Sequence, residues 1–370
     1  TGNKGEWSEM YAFLKLLGER RIYGADGDLN IRYDVYYDLN KIIREETKGK
    51  EIEYVVNEDL KTIDVIAEGE VKVRFKFERY AEEAEYLFGQ ICSRKGSFTV
   101  ERTVEFMEKI CSTKLKAPSK DKIDIVVGIP DKKTGMDSTL GFSIKSNLGH
   151  PPTLLNASTA TNFIFKLNGA TDEDASNINS IVALRSKGEE TKEHPDLKGR
   201  AEYILKKGIE MEFIDTQSKE FRSNLTILDS LMPEILAETL KDFFLTGENS
   251  VEKLAVKLTD TNPIGYDMTG SNIFYRQKIK KFLSEIATGM VPGTYWSGRK
   301  DATGGYFVVK ETGEIVCYHL YNLDDFEEYL LKNTYLDKPS TGRHGYGIAE
   351  KAPDGKYTFK LNLQIRFKGS

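Results

Sequence analysis

The 370-residue sequence predicts an α+β protein, a mixed sheet flanked by helices, from three observations. Apolar residues near the start recur at helical spacing. Short β-rich runs follow, and two of them bracket a turn that holds Pro130 and Gly135. The last 80 or so residues switch back to strand patterns. Helices and strands are mixed irregularly, without the βαβ alternation of a doubly wound fold.

The first helix is predicted over 6–18, where Trp7, Met10, Tyr11, Phe13, Leu14 and Leu17 follow i, i+3, i+4, i+7 spacing. EIEYVV, TIDVI and VKVRF read as short strands, turning at Asn57-Glu58-Asp59 and Glu68-Gly69. Two amphipathic helices follow, over 79–92 and 101–112. Segment 122–146 reads as a hairpin, IDIVVGI and TLGFSIKS flanking PDKKTGMDS. Asn156–Leu167 is expected to be helical, and the polar stretch 170–200 a solvated loop or insert. Helices are predicted over 219–245 and 272–289. YFVVK, EIVCYHLY and TFKLNLQIRF are the closing strands, with one helix at 323–332. The expected domains are a core over 1–170, a helical insert over 171–290 and a β-rich region over 291–368, with 369–370 a cloning remnant.

Hydrophobic residues make up 39% and charged residues 30%, which excludes a disordered chain or a disulfide scaffold. Lys plus Arg number 53 against 58 Asp plus Glu, a net charge of −5. Any polyanion must therefore meet a local basic cleft rather than a globally basic surface. Cys92, Cys111 and Cys317 lie far apart and read as buried, reduced thiols. The four histidines show no zinc-ligand spacing. No apolar run reaches a membrane span and no signal peptide opens the chain, so a cytoplasmic protein is expected.

The hairpin carries the chemistry. A turn centred between Thr134 and Gly135 puts Asp124 opposite Lys145, with Ser143 on the same face. Ile123, Ile125, Phe142 and Ile144 then form the apolar side. A carboxylate beside an ammonium suits metal-assisted phosphodiester hydrolysis, because Mg²⁺ takes oxygen ligands and a lysine can hold water or a phosphate oxygen. The plainer alternative is a surface ion pair. Asp137, the competing acid, belongs near the turn. Glu6 lies within the apolar stripe of the first helix. It is either paired with a cation or a first-turn acid favoured by the helix dipole.

Gly5-Glu6 opening a helix, then Asp124, then Ser143-Ile144-Lys145, resembles the PD-(D/E)XK nuclease core. Longer strings resemble the HpaII-like type II restriction endonucleases: GNKGEWSEMYAFLKLL, KAPSKDKIDI, GFSIKSNLG with TLLNASTATNF, GMVPGTYWSG, DATGGYFVVK, and STGRHGYG with KLNLQIRF. They cover the whole chain. The resemblance implies Mg²⁺-dependent cleavage of double-stranded DNA at a short palindrome, CCGG being the type example. Asp124 would bind the metal, Lys145 would activate the nucleophile, and Glu6 would be an accessory acid. Ser143 departs from the pattern, where an acid is usual two residues before the lysine. The Ile144 carbonyl and Glu6 are then the candidates to complete the metal site.

For DNA contact, the tail sets Lys360, Asn362, Gln364 and Arg366 on one strand face. Planar Arg, Asn and Gln groups suit base edges, and a wet strand face is the alternative. Arg343 and His344 sit in a Gly-rich turn suited to a phosphate backbone. Ser146, Asn147 and Asn156 follow the catalytic strand, although Asn156 also suits a helix cap. Trp296 is expected to be buried. A palindrome implies a homodimer on DNA, with a monomer nicking each strand in turn as the alternative, and a companion methyltransferase as genetic partner. A structure-specific nuclease and a catalytically decayed DNA-binding protein are the competing functions.

Overall fold

The computed structural model describes residues 1–47, 49–115, 122–130, 137–187, 190–270 and 272–368. The chain divides into a first unit, Thr1–Pro152 with Lys300–Tyr329, and a second, Thr153–Arg299 with Leu330–Lys368. The expected β-rich stretch 291–368 is thus shared between the two units.

The first unit opens with α1 (Lys4–Glu19), β1 (Arg21–Ala25), β2 (Ile31–Asp38), β3 (Lys41–Thr47), β4 (Lys50–Asn57), β5 (Thr62–Ala67) and β6 (Glu70–Lys76). Helices α2 (Phe77–Ser93) and α3 (Glu101–Lys109) precede the hairpin strands β7 (Ile125–Pro130) and β8 (Asp137–Ser146). The second unit begins with β9 (Thr153–Leu155), β10 (Asn162–Asn168), α4 (Asp172–Ser180), β11 (Val182–Lys187), β12 (Glu190–Pro195), α5 (Leu197–Lys207) and β13 (Glu210–Thr216). It continues with α6 (Lys219–Leu228), α7 (Met232–Thr246), α8 (Val251–Thr261) and α9 (Phe274–Thr288). The chain returns to the first unit as β14 (Gly305–Val309), β15 (Ile315–His319) and most of α10 (Leu323–Lys332), whose residues from Leu330 on belong to the second unit. It ends with β16 (Thr334–Leu336), α11 (Thr341–His344), β17 (Ala349–Lys351), β18 (Tyr357–Asn362) and β19 (Ile365–Phe367).

The first unit is built on a ten-stranded sheet in the order β2-β1-β15-β14-β8-β7-β3-β4-β5-β6. The β1–β15 and β14–β8 pairs are parallel and the others antiparallel, so the sheet is mixed. Phe142 and Ile144 of β8, Phe307 and Val309 of β14 and Cys317 of β15 join α1 and α2 in one apolar core. Strand alternation sends Tyr306 and Tyr318 to the opposite face. There they meet Phe326 and Tyr329 of α10, with ring centroids 5.1 Å and 4.3 Å apart.

Two glycines permit this centre. Gly305 has φ +112°, and a Cβ there would lie 2.0 Å from the Tyr318 carbonyl oxygen. A Cβ on Gly304 would enter the Phe142 ring at 2.3 Å.

The second unit holds an antiparallel sheet, β13-β10-β18-β17, with α6 and α7 packed on it, and a three-stranded sheet, β16-β19-β9. Several expectations are corrected here. Asn156–Leu167 is a short 3₁₀ turn followed by β10, not a helix. From Phe163 on, the run NFIFKLN alternates buried and part-buried residues with period two, as a strand requires. Segment 170–200 is largely ordered, with α4, the β11–β12 pair and the start of α5. The helix expected over 219–245 is two, parted at Asp229–Leu231 before Pro233. Of the cysteines, only Cys317 is buried, and Cys92 is exposed. Gly369 and Ser370 lie outside the described residues. Among the described residues no helix is long and apolar enough to cross a membrane.

His319 closes β15 at 1% exposure, stacked on Tyr37 at 4.8 Å. Its Nδ1 accepts the Tyr321 N–H at 3.0 Å, while Nε2 has no partner among the described residues. Burial pushes its pKa down to about 4. The unfolded chain binds this proton near pH 6.5 and the folded chain does not, so stability is full above that pH and falls as pH drops toward 4. Chemical denaturation between pH 7 and 4 should show a loss of about 3 kcal/mol, and His319→Gln should abolish most of that slope.

Candidate active site

The site forms where β7 parts from β8. Pairing runs from Ile125 opposite Phe142 to Pro130 opposite Asp137. This register is shifted by two from one centred between Thr134 and Gly135, residues that lie outside those described. Asp124 therefore meets Ser143 rather than Lys145. A two-residue shift preserves the face, so Asp124, Ser143 and Lys145 still gather on one side. The register has a steric basis: Ile123 occupies the space over Gly141, where a Cβ would lie 2.8 Å from its Cδ1. Asp137 is exposed at the turn end of β8, as expected.

The Asp124 N–H still donates to the Phe142 carbonyl at 2.9 Å, but β7 proper begins only at Ile125. The Ile144 N–H bonds to the Asp124 carboxylate at Oδ2 (2.7 Å) instead of to a ladder carbonyl. The buried Ser143 hydroxyl donates to the same oxygen at 2.9 Å. Both bonds fall on Oδ2 and fix the plane of the carboxylate. N–H and C=O of one strand residue point the same way, so the Ile144 carbonyl lies on the Asp124 side.

Lys145 is half-buried, with Nζ 5.3 Å from the Tyr306 ring centroid. The β14 register explains this, setting Tyr306 beside Ser143 and Val308 beside Lys145. Lys122 was not singled out from the sequence. Burial first, and then the like charge of Lys145, lower its pKa to about 8, while Asp301 opposes the shift. The clue was its place two residues before Asp124, which a strand pattern puts on the same side.

Glu6 caps α1. Its backbone N–H donates to Asn3 Oδ1 at 3.1 Å, and its Oε2 accepts the Asn3 N–H at 2.8 Å. This is the first-turn alternative in a specific form. Ser146 is held by Ser8, with the two hydroxyl oxygens 2.9 Å apart, and its Oγ accepts the Leu148 N–H. The Asn147 N–H donates to Val309. Among the described residues no group of three or more His, Cys, Asp or Glu side chains is placed to hold a metal.

The tail residues lie in the second unit and are not one strand face. The strand breaks after Asn362, and its two parts join different sheets. Asn362 is 4% exposed and donates Nδ2 to Ser158 O and Asn162 Oδ1 at 2.7 and 2.6 Å. This corrects its place on a wet face. Lys360 pairs with Glu350 at 3.0 Å and Arg366 with Asp337 at 3.4 Å, while Gln364 is half-buried. Arg343 is exposed in the α11 turn, and the His344 carbonyl accepts Asn162 Nδ2 at 2.8 Å. Asn156 is exposed in a loop and caps no helix, since Ser158 caps the 3₁₀ turn. Trp296 is only half-buried, with Nε1 donating to Arg299 O.

Residues 3–367 match the model of the HpaII restriction endonuclease family. The chain is 37% identical over 369 residues to the type II restriction enzyme HpaII of Haemophilus parainfluenzae, covering 99% of this chain and 98% of that one. No solved structure matches. The chain belongs to the HpaII restriction endonuclease family and is a type II site-specific deoxyribonuclease.

Proposed function

We propose that the protein is a Mg²⁺-dependent nuclease of the PD-(D/E)XK type. It hydrolyses both strands of DNA at a short palindrome, with CCGG the first sequence to test. The observation that carries this reading is the Asp124 carboxylate, held by Ser143 and Ile144 on the side where Lys145 emerges. The donors fit a hard cation: Asp124 Oδ1 and the Ile144 carbonyl are oxygens, and Mg²⁺ commonly takes one or two carboxylates and keeps several waters. When bound, the ion supplies charge stabilisation to the phosphate oxygens as the bond breaks.

The protein's own groups do the rest. Ser143, in place of an acid, orients Asp124 instead of adding a second negative charge. Lys145 presents an ammonium over the Tyr306 ring, where it orients the attacking water or a non-bridging phosphate oxygen. Glu6 stays a helix-capping residue in this reading. A palindromic target is served by a two-fold homodimer, and a companion methyltransferase protects host DNA.

Plasmid cleavage followed by end sequencing tests this reading. Discrete cuts should require Mg²⁺ and vanish in EDTA. Asp124→Asn and Lys145→Ala should each lower the cleavage rate about 10²–10⁴-fold with DNA binding retained. A folded wild type that binds DNA but never cuts would replace the nuclease reading with that of a decayed DNA-binding protein. Ser143→Ala removes a bond to a charged acceptor, so single-turnover kcat should fall about tenfold at unchanged DNA affinity.

A further inference from the structure

The second unit holds a cleft of about 330 Å³ that no step of the proposed reaction uses. One wall is His194 to Lys198, at the end of β12 and the start of α5. The other is the turn from Lys338 to Thr341. Asp196, on the first wall, caps α5 by accepting the Lys198 N–H at 3.1 Å, and its charge also acts on Lys338.

Lys338 makes no ion pair among the described residues. Its ammonium lies 5.3 Å from the Phe243 ring centroid; burial first, and then the like charge of Lys198, lower its pKa, while the Asp196 charge opposes the shift. Arg343, three residues past the turn's Ser340, is exposed, and its guanidinium has no hydrogen-bond or ion-pair partner among the described residues. A larger cleft in the first unit, about 920 Å³, offers a contrast. Its Lys15, Arg20 and Arg21 are each within 2.7–3.5 Å of a carboxylate, from Glu19, Glu58 and Asp38. Their charge is already neutralised.

The turn is held from inside. Tyr346 donates its hydroxyl to Pro339 O at 2.7 Å, and Asn162, 0% exposed, donates to His344 O. Arg200, 2% exposed, gives Nη1 to Gly347 O, Nε to Ile181 O and Nη2 to Asn179 O. A buried guanidinium bonded to carbonyls of separate segments fixes their relative positions. The turn therefore has little freedom left to lose when a ligand arrives.

We propose that this cleft and the Arg343 turn form one preformed site for phosphates of the DNA backbone, with Lys338 and Arg343 as its anion-contacting cations. The proposal rests on the DNA-cleavage reading above. It adds a sequence-independent contact far along the chain from Asp124 and Lys145.

The test is duplex binding by fluorescence anisotropy in EDTA across a KCl series. The proteins are the wild type, a Lys338→Gln/Arg343→Gln double variant, and a Lys356→Gln control. Lys356 pairs with Asp354 and lies outside the cleft. The double variant should bind at least about tenfold more weakly, and its salt slope should fall by about two units. The loss should be equal on duplexes with and without the cleavage sequence, and the control should match the wild type. A folded double variant with wild-type affinity and slope overturns the proposal. A loss confined to the cleavage sequence overturns the phosphate assignment, since it marks base reading. If the wild type binds no duplex at all, the DNA reading falls together with the site.

Discussion

The active-site face depends on one bond, between the Ile144 N–H and the Asp124 carboxylate. A buried strand amide must have a partner, and β7 supplies no ladder carbonyl beyond Ile125. Asp124 fills that vacancy and is fixed by doing so. The same departure of β7 ends its ladder at Ile125, and the Ile144 carbonyl, pointing the way its N–H does, lies on the Asp124 side. Positioning the catalytic acid and satisfying the sheet are thus one event. A side chain without an acceptor oxygen at 124 would disturb both.

The surroundings make that event reproducible. Ile123 over Gly141 fixes the hairpin register, while Gly304 and Gly305 let β14 lie against Phe142 and Tyr318. Upstream, Glu46 (6% exposed) accepts bonds from the Thr113 and Lys114 backbones. Arg44, also buried, sits 3.5 Å from Glu46 and donates to Lys114 O. Removing one partner of such a pair typically costs about 3–5 kcal/mol, because the other charge stays buried. The chain entering the site is therefore anchored to β3 before it reaches Lys122.

Much of this was legible in the sequence where a single period dominated. The helix over 6–18, the strands EIEYVV to VKVRF, the hairpin and the helix at 323–332 all appear within a few residues of their expected bounds. Strands β1 to β3 were not foreseen, because RIYGA and IRYDVYYD mix polar and aromatic residues, and β2 is an edge strand. The shared face of Asp124, Ser143 and Lys145 was readable because a two-residue slip preserves it, whereas their pairing was not. Asn362 misled for the opposite reason. The alternation from Lys360 to Arg366 continues through a break that only tertiary structure imposes. Lys122 was hidden because spacing can put it on the Asp124 side but says nothing of its burial beside Lys145.

The central claim is that Asp124, held by Ser143 and Ile144, is the metal-binding carboxylate. Manganese binding followed by electron paramagnetic resonance tests it without relying on cleavage. Wild-type protein and Lys145→Ala should bind the same number of Mn²⁺ ions, and Asp124→Asn should lose one site while keeping its fold. Unchanged Mn²⁺ stoichiometry and affinity in a folded Asp124→Asn protein would contradict the account.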